Sequence, residues 1–301
     1  MGVTDLNYWM EKALIKKVDV MINRCTKKSP KRDALIIMEG GEGEGKTTLA
    51  LLTAYYIKYH TKRPINLFFR LEDVIKFAQN TEKQIIIWDE PALDSLSTDS
   101  LNKLNKNLIR LIMAVRKKQH FFILNFTKFY KFSEYIIVDR ALALIHVYSR
   151  KEIHMGHFVY IKRRNLERLY NTYRTSRKRL YKTLSKTRYG GFRGTFRDIF
   201  DNNLFDKMGV TVNGVSNASV EVYDKEKDKA IASIGIEEKE NKKESMYKDK
   251  VRELQMKIGR LKPPFKVDTQ EDYANKLGIH RRTLINWVNY AEFHDKNVQK
   301  P

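Results

Sequence analysis

Short apolar runs alternate with helical periods over residues 34 to 148. The apolar runs are ALIIME (34–39), INLFF (65–69), QIIIWDE (84–90), HFFILNF (120–126) and ALALIHVY (141–148). Helical patterns separate them: one from about 45 to 60, then LEDVIKFAQN, then a long helix to about 118 that Asp99 or Ser100 can cap. Continuous apolar runs are typical of parallel strands covered by helices. The pattern predicts an α/β fold with a mainly parallel, five-stranded sheet.

The chain on either side of this region has a different character. An amphipathic helix over about 4–24 precedes the sheet, and it can serve as a helix packed on the core or as a partner-binding arm. After the sheet, residues 162 to 197 hold thirteen basic residues and one acid, Glu167. The predicted organisation is an N-terminal helix (1–32), an α/β domain (33–160), a basic aromatic-rich segment (161–205), a charged linker (206–250) and a small all-α module (251–301).

The net charge of the chain indicates what the protein binds rather than how it folds. Lys and Arg number 58 against 36 Asp and Glu, which gives a formal charge of +22 and a pI of about 9.8. Such a field attracts polyanions, nucleic acid first and an acidic membrane surface second. A single cysteine, Cys25, excludes an internal disulfide, and no apolar run reaches the ~18 residues of a membrane span. We expect a cytoplasmic protein without a membrane span, in the host cytoplasm if the protein is viral.

Residues 38 to 48, MEGGEGEGKTT, carry the strongest chemical signal. Gly40, Gly45, Lys46 and Thr47 match the pattern G-x-x-x-x-G-K-[ST], which lies between a predicted strand and a predicted helix. Glycines let the backbone amides turn toward phosphates, the lysine neutralises the phosphates, and the hydroxyl binds Mg²⁺. The candidate ATP-binding residues are Gly40, Gly41, Gly43, Gly45, Lys46, Thr47 and Thr48.

Two acids lie inside this phosphate loop, Glu42 and Glu44. Backbone amides face the nucleotide in such a loop, so we expect both carboxylates to point outward. They would then be solvated, or meet basic side chains of another subunit or of the chain's own basic segment.

A second acidic pair ends the strand IIIWDE. The carboxylate of Asp89 would lie beside the phosphates and hold Mg²⁺ together with Thr47, and Glu90 would polarise the attacking water.

These motifs resemble the P-loop NTPases of the additional-strand, catalytic-glutamate division, a RecA-like group, over about residues 33 to 150. The resemblance implies an extra strand between the loop strand and the Asp-Glu strand, ending in a polar sensor. HFFILNFTKF is the matching strand, with Asn125 as the sensor candidate and Thr127 as the second.

The helix before that strand resembles the corresponding helix of HerA–FtsK DNA pumps and Zot-like proteins. Those families commonly carry Gln where this chain has Asn125, so viral packaging ATPases and AAA+ helicase loaders remain alternatives. The resemblance implies an arginine directed at the γ-phosphate, and the candidates are Arg116, Arg140 and Arg150. If a neighbouring subunit supplies it, the active form is a homo-oligomeric ring.

Two further segments predict contact with DNA. The basic segment combines cations with aromatic rings that can stack on bases or cover the core: Tyr160, Tyr170, Tyr173, Tyr181, Tyr189, Phe192 and Phe196. Residues 270–287, QEDYANKLGIHRRTLINW, resemble helix-turn-helix modules of transcription factors and phage terminase small subunits, although an ordinary helical hairpin has a similar pattern. The predicted DNA-contacting residues are His280, Arg281, Arg282, Thr283 and Asn286.

Together these features predict an ATP-hydrolysing, DNA-associated motor of a virus or mobile element, used in packaging, transfer or translocation. Its catalytic residues would be Lys46, Glu90, Asn125 and Arg116. Two alternatives stay open. One is an ATP-switched DNA-binding regulator, replication initiator or helicase loader, and the other is a Zot-like assembly or secretion ATPase.

Overall fold

The computed structural model of the protein describes residues 9–89, 98–150, 154–175 and 191–233, together with Asn275, His280 and Arg282. The chain divides into two compact units, Met1–Ala232 and Ser233–Pro301. Almost all of the second unit lies outside the described residues, and so does most of the predicted helix-turn-helix. Within the described part, no helix is long and apolar enough to cross a membrane.

The first unit is built from helices and strands that follow one another along the chain. The helices are α1 (Lys12–Thr26), α2 (Lys46–Thr61), α3 (Leu71–Asn80), α4 (Thr98–Ala114), α5 (Leu166–Thr175), α6 (Asn202–Met208) and α7 (220–233). The strands are β1 (Ala34–Glu39), β2 (Ile65–Phe68), β3 (Ile85–Asp89), β4 (Phe121–Phe126), β5 (Ala143–Ser149), β6 (Met155–Lys162), β7 (Phe192–Arg197) and β8 (Val210–Val212).

All of these strands belong to one sheet in the order β7-β6-β5-β1-β4-β3-β2-β8. The α/β prediction is confirmed, but the prediction of five strands was wrong, since eight strands of the described chain pair in a mixed sheet. β6 pairs antiparallel with β5, and β7 pairs antiparallel with β6. β8 adds in parallel to β2 at the other edge. The two edge strands, β7 and β8, are not continuous apolar runs, which is why the apolar pattern did not reveal them.

Helices cover both faces of the sheet, and each face has its own hydrophobic core. One core joins α1, α2, α6 and α7 to the sheet, and the other joins α3, α4 and α5 to the opposite face. The apolar stripe of α1 is buried in the first core, so this helix packs on the sheet, the first of its two expected roles. Its buried residues are Leu14, Val18, Met21, Ile22 and Cys25.

The strand order explains where the functional residues meet. β4 lies between β1 and β3, which is where the sequence resemblance placed the additional strand. Because β1, β3 and β4 are parallel, their carboxyl ends meet at one edge of the sheet. The phosphate loop follows β1 at that edge.

The basic segment contributes to the core of this unit. Its described parts include α5 and β7, and residues 176–190 lie outside the described ranges. Four of the aromatic residues considered for base stacking are buried instead: Tyr160, Tyr170, Tyr173 and Phe196. These rings cover the sheet, because an aromatic side chain that alternates with cations along a strand or helix can direct its ring inward.

Candidate nucleotide-binding site

The phosphate loop connects the fully buried strand β1 to the start of α2 at Lys46. Two of its glycines lie in the left-handed region, with φ of +71° at Gly43 and +86° at Gly45, which residues with a Cβ rarely adopt. Gly40 is restricted by space instead, because a Cβ there would collide with the carbonyl oxygen of Val147. The glycine spacing read from the sequence therefore has a steric cause at each of these positions.

Lys46 folds back over its own loop. Its Nζ donates a hydrogen bond of 2.9 Å to the carbonyl of Gly40 and a second one to the carbonyl of Gly41. Burial lowers the pKa of the Lys46 ammonium, while the carboxylates of Asp89 and Glu44 oppose this shift. The ammonium therefore lies where it can neutralise an anion bound by the loop.

Asp89 lies next to the first turn of α2. Its Oδ2 accepts a hydrogen bond of 2.8 Å from Oγ1 of Thr47, and its Oδ1 accepts one of 3.4 Å from Nδ2 of Asn125. Asn125 is the direct neighbour of Asp89 in the register of β3 and β4. The three candidate side chains that the sequence assigned to metal binding and sensing are thus in one hydrogen-bonded group.

Asn125 has an unused acceptor. Its side chain is 1% exposed, and its Oδ1 has no hydrogen-bond partner within the described part of the chain. A buried amide oxygen without a partner is costly, so such groups usually have a role. This oxygen can accept a hydrogen bond from a water molecule close to Asp89. Thr127, the second sensor candidate, lines the same cleft.

The two acids of the phosphate loop behave differently. Glu42 is exposed, as expected, whereas Glu44 is half-buried and accepts a hydrogen bond from the backbone N–H of Gly41. The expectation that Glu44 points outward was wrong. The loop directs its amides inward, and the carboxylate of Glu44 satisfies one of them.

The cleft beside the loop has a volume of about 450 Å³, within the range of small-molecule sites. The phosphate loop and Asp89 form one wall. The other wall comes from the chain after β7, and its lining residues are Asp198, Phe200, Tyr223, Asp224, Lys227 and Ile231. The cleft therefore has the phosphate loop on one side and a wall of apolar and charged side chains on the other.

Tyr223 of α7 is a site residue that the sequence did not reveal. Its hydroxyl donates a hydrogen bond of 2.7 Å to Oδ2 of Asp89. Burial, followed by the nearby charge of Asp89, raises the pKa of this phenol, so it remains a donor at neutral pH. Its ring packs against Phe69, Phe200 and Phe205. The available signal was the helical spacing of Tyr223, Lys227 and Ile231 within the predicted linker.

A buried pair of polar side chains, Glu39 and His146, lies where β1 ends, just before the loop. His146 Nδ1 is 2.6 Å from Oε2 of Glu39, and both side chains are buried. Oε1 of Glu39 has no hydrogen-bond partner among the described residues. The ring of His146 stacks on Tyr148. The pair anchors the carboxyl end of β1 to β5 beneath Gly40.

Several predicted site residues lie away from this cleft or outside the described part of the chain. Glu90, Arg281, Thr283 and Asn286 are outside the described residues. His280 and Arg282 are exposed, and the backbone N–H of Arg282 donates to Nδ1 of His280 at 3.3 Å. Their roles stay predictions.

Two of the candidate arginines for the γ-phosphate lie at the opposite edge of the sheet from the loop of their own chain. Arg116 is exposed just before β4, and Arg140 pairs with Asp33 just before β1, both at the amino ends of strands. Arg150 is exposed and its guanidinium lies 5.9 Å from the ring centre of Tyr148. A role for any of them in a neighbouring subunit stays a prediction.

The residues at the loop fit a nucleotide with Mg²⁺. The hydroxyl of Thr47 and the carboxylate of Asp89 are hard oxygen ligands within hydrogen-bond distance of each other, and Mg²⁺ prefers such ligands. The glycine backbone and Lys46 supply donors for phosphate oxygens. A loop of this type between a buried strand and a helix, with an acid at the end of a nearby parallel strand, defines a P-loop NTPase.

Sequence comparison places the chain more narrowly. It belongs to the family Novel STAND NTPase 3 (nSTAND3), whose model matches residues 21–178. The matched region contains the phosphate loop, Asp89 and Asn125. No curated protein matches the chain in sequence.

Solved structures show distant similarity over part of the chain. A KaiC-like protein from Pyrococcus horikoshii is 16% identical, with a TM-score of 0.33, covering 44% of this chain and 80% of that one. The RadB recombinase is 13% identical, with a TM-score of 0.30, over 48% and 86%. The ATPase domain of G40P is 11% identical, with a TM-score of 0.28, over 44% and 78%.

Proposed function

We propose that this P-loop NTPase hydrolyses ATP and acts on DNA as a motor that translocates, packages or transfers it. The observation that supports hydrolysis most directly is the hydrogen bond between Thr47 and Asp89 at the phosphate loop. It joins the two expected metal-binding groups next to Lys46.

Each residue of the cleft has a role in this proposal. The loop amides and Lys46 bind the β- and γ-phosphates, and Thr47 and Asp89 would hold Mg²⁺. When bound, the ion neutralises charge that develops on the phosphate oxygens. Asn125 orients the attacking water through its unused oxygen, and Glu90 takes the proton from that water.

DNA as the partner is supported by the charge of +22 and by the sequence resemblance to HerA–FtsK pumps. The C-terminal residues 251–301 would tether or select the DNA in this proposal. The active form would be a homo-oligomer, since Arg116 and Arg140 lie at the opposite edge of the sheet from the loop of their own chain. Arg116 is the first candidate for the arginine supplied from a neighbouring subunit.

The test is the rate of ATP hydrolysis by the full chain with no DNA, with single-stranded DNA and with duplex DNA. We expect DNA to raise the rate of the wild type, and we expect Lys46→Ala and Glu90→Gln to remove turnover under all three conditions. Lys76→Ala is the matched control, because Lys76 is exposed on α3. Turnover that DNA does not change would contradict the motor, and turnover by Lys46→Ala would contradict the site.

A specific contact favours a second candidate, an ATP-switched DNA-binding regulator. Tyr223 connects Asp89 to α7, the helix that leads toward the second unit at Ser233. Nucleotide binding would then change the environment of α7. A switch should hydrolyse ATP slowly and protect one DNA sequence in a footprint, whereas a motor should turn over quickly on any DNA and displace a bound roadblock.

A further inference from the structure

Arginines from five segments of the described chain meet at the amino-terminal edge of the sheet, opposite the phosphate loop. This arginine cluster consists of Arg24, Arg32, Arg116, Arg140 and Arg163. The ATP site described above uses none of these residues in its own chain.

Sheet topology brings these segments together. β1, β4 and β5 are parallel, so the residues that precede them share one edge. Backbone hydrogen bonds hold this edge, from Ala34 N to His120 O at 3.0 Å and from Leu142 N to Leu35 O at 2.8 Å. β6 runs the other way and ends beside the start of β5, which brings the residue after Lys162 to the same edge.

The guanidinium groups are close enough to repel one another. Burial lowers the pKa of Arg24, and the charges of Arg32, Arg163 and Arg140 lower it further. Burial raises the pKa of Asp33, while Arg140, Arg116 and Arg24 oppose that shift. One buried carboxylate thus lies among five cations.

Two acids at this edge, Asp33 and Asp139, do not balance the charge of the five arginines. Arg140 pairs with the carboxylate of Asp33 at 2.5 Å. Arg163 donates to the backbone carbonyl of Asp139 at 2.7 Å, and the side chain of Asp139 is exposed. Even with both acids counted against the five arginines, a net charge of +3 remains.

Some donors of the cluster lack acceptors. Nε of Arg24 and Nε of Arg140 are both buried without a hydrogen-bond partner in the described part of the chain. The nearby Arg63 shows the contrast, because it donates to the carbonyls of Gln119 at 2.6 Å and of Cys25 at 3.4 Å. Packing and backbone contacts account for Arg63, whereas the cluster holds donors and charge that the fold does not use.

We infer that the arginine cluster is a binding site for the phosphodiester backbone of nucleic acid. Guanidinium groups present several donors in a planar fork that matches phosphate oxygens, and a group of them suits a ligand with repeated negative charges. The chain's overall positive charge supports a polyanion over an acidic peptide. The inference rests on the proposed function only for the choice of DNA as the nucleic acid.

The test compares two double variants of the full chain in DNA binding, measured by fluorescence anisotropy with labelled single-stranded and duplex oligonucleotides between about 50 and 200 mM salt. Arg32→Gln with Arg163→Gln removes two exposed cations of the cluster. Lys103→Gln with Lys106→Gln removes two exposed cations of α4 and is the matched control.

We expect the arginine variant to bind DNA at least about tenfold more weakly at about 100 mM salt. Its slope of log K against log salt should fall by about 1.8 for duplex DNA or about 1.4 for a single strand. The lysine control should keep wild-type affinity and slope. Equal weakening in both variants, or in neither, would overturn the inference.

Two further readouts distinguish DNA binding from a membrane contact and from a subunit contact at the cluster. Loss of binding to phosphatidylserine vesicles without loss of DNA binding would assign the cluster to a membrane surface and overturn the inference. Loss of DNA-free ATP turnover in the arginine variant would assign it to subunit contacts, with the same consequence. The anisotropy measurement does not depend on ATP hydrolysis. A failure of this inference can therefore be distinguished from a failure of the proposed function.

Discussion

The hydroxyl of Tyr223 and the hydroxyl of Thr47 both donate to the same oxygen, Oδ2 of Asp89, at 2.7 and 2.8 Å. These two donors fix the carboxylate at the carboxyl end of β3, facing the first turn of α2. The site therefore contains α7 as well as the phosphate loop and Asp89. Tyr223 of α7 lies 134 residues after Asp89 in the chain.

Replacing Tyr223 with phenylalanine should weaken the use of Mg²⁺. The change removes the donor to Asp89 and keeps the ring among its aromatic neighbours, so the carboxylate loses part of its orientation. We expect the Mg²⁺ concentration for half-maximal ATP turnover to rise about fivefold, which corresponds to about 1 kcal/mol.

Tyr56→Phe is the matched control, because Tyr56 donates a 2.7 Å hydrogen bond to Asp19 on α1, outside the cleft residues. It should leave the Mg²⁺ dependence unchanged. An unchanged Mg²⁺ requirement in Tyr223→Phe would show that this contact does not position Asp89.

Glu44→Gln should tighten ATP binding. Glu44 places a carboxylate on the N–H of Gly41, so a bound phosphate must compete with a like charge for the loop. We expect KM for ATP to fall about threefold, with kcat little changed, in steady-state kinetics. Glu42→Gln removes an exposed charge one position before Gly43 and should have a smaller effect. A larger fall in Glu42→Gln would contradict the assigned contact.

The glycines of the phosphate loop should differ in their tolerance of alanine. A Cβ at Gly40 would collide with the carbonyl of Val147, whereas a Cβ at Gly43 would have nothing within 4 Å and only the strain of φ +71°. Gly40→Ala should lower the free energy of unfolding by about 3 kcal/mol, and Gly43→Ala by about 1 kcal/mol. Urea denaturation measures both, and an equal loss in the two variants would contradict the close approach.

Acid should destabilise the protein through His120. Burial lowers the pKa of this imidazole to about 4, and the charge of Lys118 adds to the shift, whereas the hydrogen bond between Nε2 and the carbonyl of Ala78 opposes it. Nδ1 accepts a hydrogen bond from the backbone N–H of Gln84. In the unfolded chain this imidazole has a pKa of about 6.5. The contribution of neutral His120 to the free energy of unfolding is therefore fully present above that pH. It falls as the pH drops toward 4, by about 3 kcal/mol at most.

Urea titrations at several pH values test this expectation. His120→Asn keeps a donor and an acceptor without the titration, so its stability should depend less on pH between about 6.5 and 4. His60→Gln is the control, because His60 is exposed on α2. If both variants kept the wild-type pH dependence, His120 would not be its source.

The sequence revealed the parts of the site that lie close together in the chain. The glycine pattern identified the loop, and the ends of two apolar strands identified Asp89 and Asn125, because parallel strands bring their carboxyl ends together. Their hydrogen bond of 3.4 Å follows from the order β1-β4-β3.

The remaining features depend on contacts between distant segments. Tyr223 lies in a charged stretch with few apolar residues, and only the folded chain brings it to Asp89. β8 has three residues, and β7 is a half-exposed strand with the sequence FRGTFR, so neither produces a clear strand pattern. The arginine cluster draws on five segments, and no local pattern could have assembled it.

The central claim is that a triphosphate and Mg²⁺ bind between the phosphate loop and Asp89. Titration of the protein with a fluorescent ATP analogue, in Mg²⁺ and in EDTA, tests it most directly. We predict tight binding of the wild type that weakens in EDTA, little binding by Lys46→Ala, and binding by Asp89→Asn that no longer depends on Mg²⁺. Unchanged, Mg²⁺-dependent binding in both variants would contradict the claim.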